Sequence, residues 1–499
     1  MAILTSTRSN DLAFSRARLN RDTIAANVQY VVSAISSILA IKLYTRYLPA
    51  SEYGYWLTIA SVAGFLSISD VGLGTAIGRT CAEAIGRGDL DGIRKTLRSA
   101  GALGLAYVFA GGTVSALVSL AFPEHRRLLV AFTCGSAFAI TILNSGASIA
   151  AGFGYYARGR IFAAMMGVSN VCAIYVLLSR GAGLQAVVAF QCLSSIGFTV
   201  LLLASTVKPE YLHRPHDAPR LTISDLKPLL KTGGGFFLVD SAYLISFQSD
   251  LLIIGLFCGS VAVAHYAVLQ KIAGMILIAV NLQNAPLFPE LARMKARGAM
   301  SAIRALFVRH CRNFVGLALL AALVFAVSGH FLVGLLAKKD YYPGVPVHVW
   351  MTISLLSSTL FRPFGISLLA LGFEARCGRL VIAESILNAL LSVTLTWQFG
   401  PVGVLIGTVV GHQVVSYRLL VPLLARTLRM PLWSSINRML EPWYCWAAIA
   451  FAVCALSLAL PIPALAKSAL IIGTTGLAFL HIELRLRAIR VFGSRGRRA

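Results

Sequence analysis

The sequence predicts an all-α polytopic membrane protein with about 14 transmembrane helices, and three observations lead there. The chain is 57% hydrophobic and only 13% charged, with a mean hydropathy of +0.77, whereas soluble domains carry about 25% charged residues. Stretches free of Asp, Glu, Lys and Arg recur along it: Ser99 to Pro123, Leu128 to Ala157, Leu251 to Gln270, Asn313 to Ala337 and Ser385 to Tyr417. Each is long enough to cross ~30 Å of hydrocarbon as a helix, which takes about 20 residues. Finally, the basic residues alternate between loops.

Taken in order, the apolar windows place spans at 23-47, 56-78, 99-122, 128-151, 161-179, 182-205, 233-257, 264-285, 313-336, 347-371, 380-398, 401-417, 441-460 and 468-482. An even number of spans puts both termini on one side. With that side inside, 34 of the 44 Lys and Arg fall in the tails and inner loops, 6 in the outer loops and 4 within spans. The excess orients the chain with both ends cytoplasmic. It also accounts for most of the net charge of +25 as topology signals and contacts with membrane lipids, with no nucleic acid required.

The organisation that follows is a basic cytoplasmic tail at 1-22, a first lobe at 23-205 and a cytoplasmic linker at 206-232. A second lobe occupies 233-417, a cytoplasmic loop 418-440, a final helix pair 441-482 and a basic tail 483-499. The first tail is polar and holds Arg8, Arg16, Arg18 and Arg21, so no cleavable signal is expected. The nine cysteines are scattered singly, without CxxC spacing or a His-rich neighbour, and read as small core residues. The outer loops are short, which argues against membrane glycosyltransferases and polymerases that need sizeable outer loops. No Gly-x4-Gly-Lys-[Ser/Thr] is present, so no nucleotide or other cofactor is expected.

The chain repeats itself. At an offset of 210, Ala63-Gly64, Ala82, Arg87-Gly88 and Ile93-Arg94 lie over Ala273-Gly274, Ala292, Arg297-Gly298 and Ile303-Arg304, with Trp56 over Tyr266. At 218, Gly154, Ala157, Arg158 and Asn170 lie over Gly372, Ala375, Arg376 and Asn388. The matches occur in order and at corresponding topological places, which predicts two parallel six-helix lobes with spans 13 and 14 appended. Repeated halves that rock about a central site are the usual build of secondary transporters.

A charge near the bilayer centre costs at least ~2.5 to 3.5 kcal/mol on insertion scales, so each one is a candidate site residue. Lys42 and Arg46, four apart on span 1, share a helical face. They could hold a phosphate or pyrophosphate, or snorkel to the outer headgroups. Asp250 and Lys271 lie at similar depth on spans 7 and 8 and could form a structural ion pair or act in a lumen. Arg362, followed by Pro363, lies well inside span 10, where a cavity role competes with a structural partner such as Glu384 on span 11. Asp70 opens Asp70-Val71-Gly72-Leu73-Gly74, and Asp240 follows Gly233-Gly234-Gly235. A carboxylate beside such a flexible point could couple an ion or simply hydrogen-bond a neighbouring helix. His265, His330 and His412 are isolated and read as packing positions.

From Leu43-Tyr44-Thr45-Arg46-Tyr47-Leu48-Pro49 through Ala50-Ser51-Glu52-Tyr53-Gly54-Tyr55-Trp56, then Asp70 to Gly74, the chain resembles the O-antigen-type polysaccharide flippases. These belong to the multidrug/oligosaccharidyl-lipid/polysaccharide exporter superfamily. Gln248-Ser249-Asp250 with Ile253-Ile254-Gly255, Tyr266, Pro289-Glu290-Leu291 and Lys338-Lys339-Asp340-Tyr341-Tyr342 extend the similarity through spans 7 to 10. The resemblance implies a V-shaped two-lobe fold that carries undecaprenyl-pyrophosphate-linked oligosaccharide to the outer leaflet by alternating access, with no covalent catalysis.

On that reading Lys42, Arg46, Lys271 and Arg362 contact the pyrophosphate or acidic sugars, and Asp70, Asp240, Asp250 and Glu384 are coupling candidates. Partners would be the lipid-linked oligosaccharide, membrane lipids, and a polymerase or other polysaccharide-assembly proteins. The alternatives are a cation-coupled multidrug exporter of the same superfamily, a lipid II flippase, which also carries an extra helix pair, and a non-transporting scaffold of a polysaccharide synthesis complex.

Overall fold

A computed structural model of the chain describes residues 2–66, 73–207, 211, 241–242, 245–246, 248–284, 286–459 and 464–495, and every regular element among them is helical. The described chain divides into two compact units, Met1–Leu244 and Ile245–Ala499.

The first unit contains α1 (Ala2–Tyr47), α2 (Ala50–Leu66), α3 (Leu73–Arg87), α4 (Leu90–Leu120), α5 (Glu124–Gly152), α6 (Tyr156–Ser179) and α7 (Gly183–Thr206). Residues 2–20, expected as a tail, continue the helix of span 1. The physical reason is that no Gly or Pro interrupts residues 2 to 47, and the helix stops just ahead of Pro49, whose ring disfavours helical geometry in the preceding residue. At the centre, α5 touches α2, α3, α4, α6 and α7, while α1 lies along α6. Close approach depends on small residues: a Cβ at Gly78 would stand 2.3 Å from the Ser148 carbonyl oxygen.

The second unit runs α8 (Gln248–Cys258), α9 (Ser260–Asn281), α10 (Leu287–Ala296), α11 (Met300–Leu336), α12 (Val345–Leu360), α13 (Arg362–Ala370) and α14 (Glu374–Phe399). It continues with α15 (Pro401–Gly411), a π-helical stretch His412–Leu420, α16 (Val421–Thr427), α17 (Leu432–Ala459) and α18 (Ala464–Arg495). A buried core of Leu287, Leu291, Ile303, Phe307, Leu368 and Leu424 ties α10, α11, α13 and α16 together. The appended pair docks on α11: Trp443 packs over Gly316 and donates its indole N–H to the Arg312 carbonyl at 2.6 Å, and Trp446 donates to Thr475 O at 2.9 Å.

Ten helices among the described residues are long and apolar enough to cross a membrane, and the chain is an all-α multi-pass membrane protein. Expected spans 1, 3 to 6 and 8 to 12 coincide with them. Spans 2 and 7 run into residues outside the described ones, and Ala466–Ile482 is a shorter apolar helix.

The sequence repeat has a backbone counterpart. Gly88 and Gly298 both sit at φ +68° just past a helix end, and Gly154 and Gly372 at +81° and +82°. Each carries the same pair of closing hydrogen bonds: Gly88 N–H to Ile85 O with Asp89 N–H to Ala84 O, and Gly298 N–H to Lys295 O with Ala299 N–H to Met294 O. Gly154 to Ala151 with Tyr155 to Ala150 is likewise repeated as Gly372 to Leu369 with Phe373 to Leu368. A left-handed residue after a helix favours glycine because a side chain there would crowd the carbonyl.

Candidate functional site

In the first unit the α1–α2 corner fixes where the cations point. Tyr44 stacks on Tyr53 at 5.4 Å, packs against Trp56 at 4.9 Å and accepts a hydrogen bond from Gln191 of α7 at 3.0 Å. With Ile41, Tyr44, Thr45 and Leu48 buried, Lys42 and Arg46 face outward from the unit. They continue an exposed apolar stripe of Ile24, Val28, Val31, Ile35 and Leu39 at helical spacing. Polar residues on the other side of α1 turn toward α6: Gln29 donates to Ser33 at 2.9 Å and accepts from Arg160, and Ser36 lies beside Gly167. Arg46 stands 5.7 Å from the Tyr47 ring. Asp70 and Asp240 lie outside the described residues.

In the second unit Asp250 of α8 is 7% exposed, and its Oδ2 accepts the Tyr266 hydroxyl at 3.0 Å. Its Oδ1 has no partner among the described residues. The Asp250–Lys271 ion pair entertained from sequence is not formed. Lys271 is exposed, whereas Tyr266, five residues earlier on α9, is fully buried. At about 100° per residue the two point some 140° apart, so equal depth does not put Lys271 on Asp250.

Glu384 of α14, 9% exposed, is the centre of a second buried cluster. Its Oε1 lies 2.5 Å from His412 Nδ1, and its Oε2 accepts the Ser416 hydroxyl. His412 Nε2 lies 3.0 Å from the Ser358 hydroxyl on α12. One turn along α14, Asn388 Oδ1 accepts from Ser392 at 3.1 Å and Thr408 at 3.2 Å.

Glu384 is therefore held by His412 and Ser416, whereas the sequence suggests Arg362 only as one partner it could serve. His412, expected as isolated packing, belongs to this network, which no local spacing could signal because the partners are 28 residues apart. Both His412 and Ser416 lie in the π-helical stretch, a geometry common at functional sites. His265 and His330 do pack, on Tyr341 at 5.4 Å and Tyr342 at 4.4 Å.

Arg362, half-buried, opens α13 at the break that Pro363 makes in span 10. Its neighbour Phe361 packs on His412 at 6.3 Å and on Tyr417 at 6.0 Å. The break thus lies beside the Glu384 cluster. Chemically, the second unit offers two buried carboxylates, Asp250 with a phenol and Glu384 with an imidazole and a hydroxyl, each able to take up a proton or cation.

A family model described as Polysaccharide biosynthesis protein matches residues 19–295. Among solved structures, the lipid II flippase MurJ in an inward closed conformation aligns with a TM-score of 0.70 and 12% identity, over 93% of this chain and 98% of that one. An inward-facing multidrug resistance MATE family transporter of the MOP superfamily aligns at 0.62 and 16% identity, over 81% and 98%. A MOP superfamily transporter from Pyrococcus furiosus, described as having a binding pocket of reverse polarity, aligns at 0.59 and 14%, over 83% and 95%. No curated protein matches the sequence significantly. At these identities the likeness is one of fold.

Proposed function

The chain belongs to the polysaccharide biosynthesis protein family, and from that premise we propose that it is a flippase. It moves an undecaprenyl-pyrophosphate-linked oligosaccharide from the inner to the outer leaflet of the bacterial inner membrane by alternating access, for surface polysaccharide assembly and without a covalent step. The observation that carries this reading is that Lys42 and Lys271 lie within membrane spans, are exposed on their units and make no ion pair among the described residues. An uncompensated cation at such depth is costly unless it meets an anion, and a pyrophosphate headgroup is one. Arg46 and Arg362 are the further candidate contacts.

No nucleotide-binding motif is present, so net movement draws on a gradient or on consumption of the product outside. Glu384 with His412, and Asp250 with Tyr266, are the described coupling candidates; Asp70 and Asp240 complete the set. A cation-coupled drug exporter would use the same acids but has little use for Lys42.

The experiment is reconstitution in vesicles, reading outer-leaflet exposure of a prenyl-pyrophosphate oligosaccharide against efflux of a cationic dye. Lipid exposure without dye efflux supports the flippase. Efflux without lipid exposure supports the exporter, and neither supports the scaffold.

A further inference from the structure

We propose that Arg160, set between α1 and α6 of the first unit, is a binding site for the phosphate of a membrane lipid, with Gln29, Tyr30 and Tyr156 as its frame. The inference stands apart from transport: a protein that moved no lipid would still hold one here.

Arg160 is the fifth residue of α6, about 6 Å along the helix from its first residue. That places its side chain near the headgroup boundary rather than at mid-membrane. One guanidinium N–H donates to Gln29 Oε1 at 3.2 Å, and the faces of the group are covered by the Tyr156 ring at 4.7 Å and the Tyr30 ring at 6.0 Å. Gln29 is itself held, since its amide nitrogen donates to Ser33 at 2.9 Å, which aims the oxygen at Arg160.

What is missing is an anion. No carboxylate of a described residue is within ion-pair distance of Arg160. The acid on the same face of α1, Asp22, is two turns from Gln29 and lies 3.6 Å from Arg21. Ring faces attract a cation but leave its in-plane N–H edge unsatisfied, and four of five guanidinium donors have no acceptor among the described residues. The phenol hydroxyls of Tyr30 and Tyr156 likewise make no hydrogen bond among the described residues. Tyr30 is 42% exposed, so the frame opens outward from the unit.

A planar fork plus two phenol donors, half-buried at headgroup depth, matches the oxygens of a phosphate. Arg158, two residues earlier, differs in its acceptor: it donates to the Ser205 carbonyl, a backbone oxygen at the end of α7, at 2.5 Å and stacks on Tyr155 at 4.3 Å.

Two lipids carry this chemistry, a prenyl pyrophosphate and an anionic phospholipid, and the test separates them. The full-length protein is placed in nanodiscs of phosphatidylcholine and titrated with undecaprenyl pyrophosphate, phosphatidylglycerol or uncharged undecaprenol, and bound lipid is counted by native mass spectrometry. The expected result is at least tenfold tighter retention of one or both phosphate lipids than of undecaprenol. Arg160→Gln should lower it about tenfold and Arg160→Lys less, because the charge stays while the fork is lost.

A preference for undecaprenyl pyrophosphate names the prenyl lipid as occupant, and a preference for phosphatidylglycerol names bulk lipid. Equal retention of undecaprenol, or retention unchanged in Arg160→Gln, overturns the proposal. Should Arg160→Gln fail to fold, Tyr30→Phe with Tyr156→Phe decides: loss of retention upholds the site and full retention overturns it.

Discussion

His412 Nδ1 lies 2.5 Å from Glu384 Oε1, joining a π-helical turn to the middle of α14 through a pair of titratable side chains. The Ser416 hydroxyl occupies the other carboxylate oxygen, and Ser358 the other imidazole nitrogen. Glu384→Ala takes the acceptor from one buried and one part-buried donor and should cost about 1–3 kcal/mol of stability. Glu384→Gln, which keeps an acceptor oxygen, should retain more of the melting temperature yet lose ion-driven transport. A variant Glu384→Gln that transports normally would remove this acid from the coupling set.

Asp250 and Tyr266 should behave as a coupled pair, and Asp250 and Lys271 should not. Tyr266→Phe leaves the carboxylate without its donor, a loss of about 1–3 kcal/mol, and adding Asp250→Leu should return part of it. Lys271→Ala should leave protein abundance unchanged, and Asp250→Ala with Lys271→Ala should be no more abundant than Asp250→Ala alone. Rescue in that last double variant would show that the two side chains meet.

Lys42→Ala should reduce outer-leaflet exposure of the lipid-linked oligosaccharide tenfold or more while membrane levels of the protein hold, because Lys42 is exposed and packs little. Arg362→Ala should also fail to transport. Unimpaired export in both variants would end the case for an intramembrane cationic headgroup site.

Gly403 and Gly197 offer a packing contrast. A Cβ at Gly403 would sit 2.2 Å from the Leu395 carbonyl carbon and 2.3 Å from the Thr396 nitrogen, whereas one at Gly197 meets nothing within 4 Å. Backbone cannot yield as a side chain end does. Gly403→Ala should therefore cost 3 kcal/mol or about that much, seen as lost abundance, and Gly197→Ala should leave abundance intact.

If the moving headgroup is anionic, transport should respond to voltage. One elementary charge moved through 100 mV is worth ~2.3 kcal/mol, and an inside-negative potential favours outward movement of negative charge. Collapsing the potential with an ionophore in vesicles lacking a polymerase should slow net exposure and lower its final extent. An unchanged rate and distribution would leave mass action as the driving force.

Much of the fold is legible in the sequence because membrane helices are specified by local composition. The windows at 128-151, 161-179 and 182-205 fall inside α5, α6 and α7 to within a few residues. The repeat is legible too, since Gly88, Gly154, Gly298 and Gly372 are demanded by turn geometry. Side-chain partnerships are another matter. Depth along a helix can be counted from its ends, but which way a side chain turns depends on neighbours that no window contains. Lys271 and Tyr266 differ in this way, and so does His412, whose partner sits on a preceding helix. The break at Phe361 was signalled by Pro363, yet its contact with the π-helical stretch was not.

The matched glycine turns frame a difference in charge. Two halves that close helices with the same hydrogen bonds at the same chain offsets share a local design, and within that shared design their side chains differ. At the offset of 218 the slot of Arg160 is held by Gly378 in the second half, and the slot of Glu384 by Met166 in the first. One half has a cation where the other has nothing, and the other an acid where the first has a thioether. Asn170 and Asn388, by contrast, still bridge to the following helix in both, through Ser194 and Thr408. Across these matched positions the joints are alike while the charged chemistry differs, the cation standing in the first half and the acid in the second.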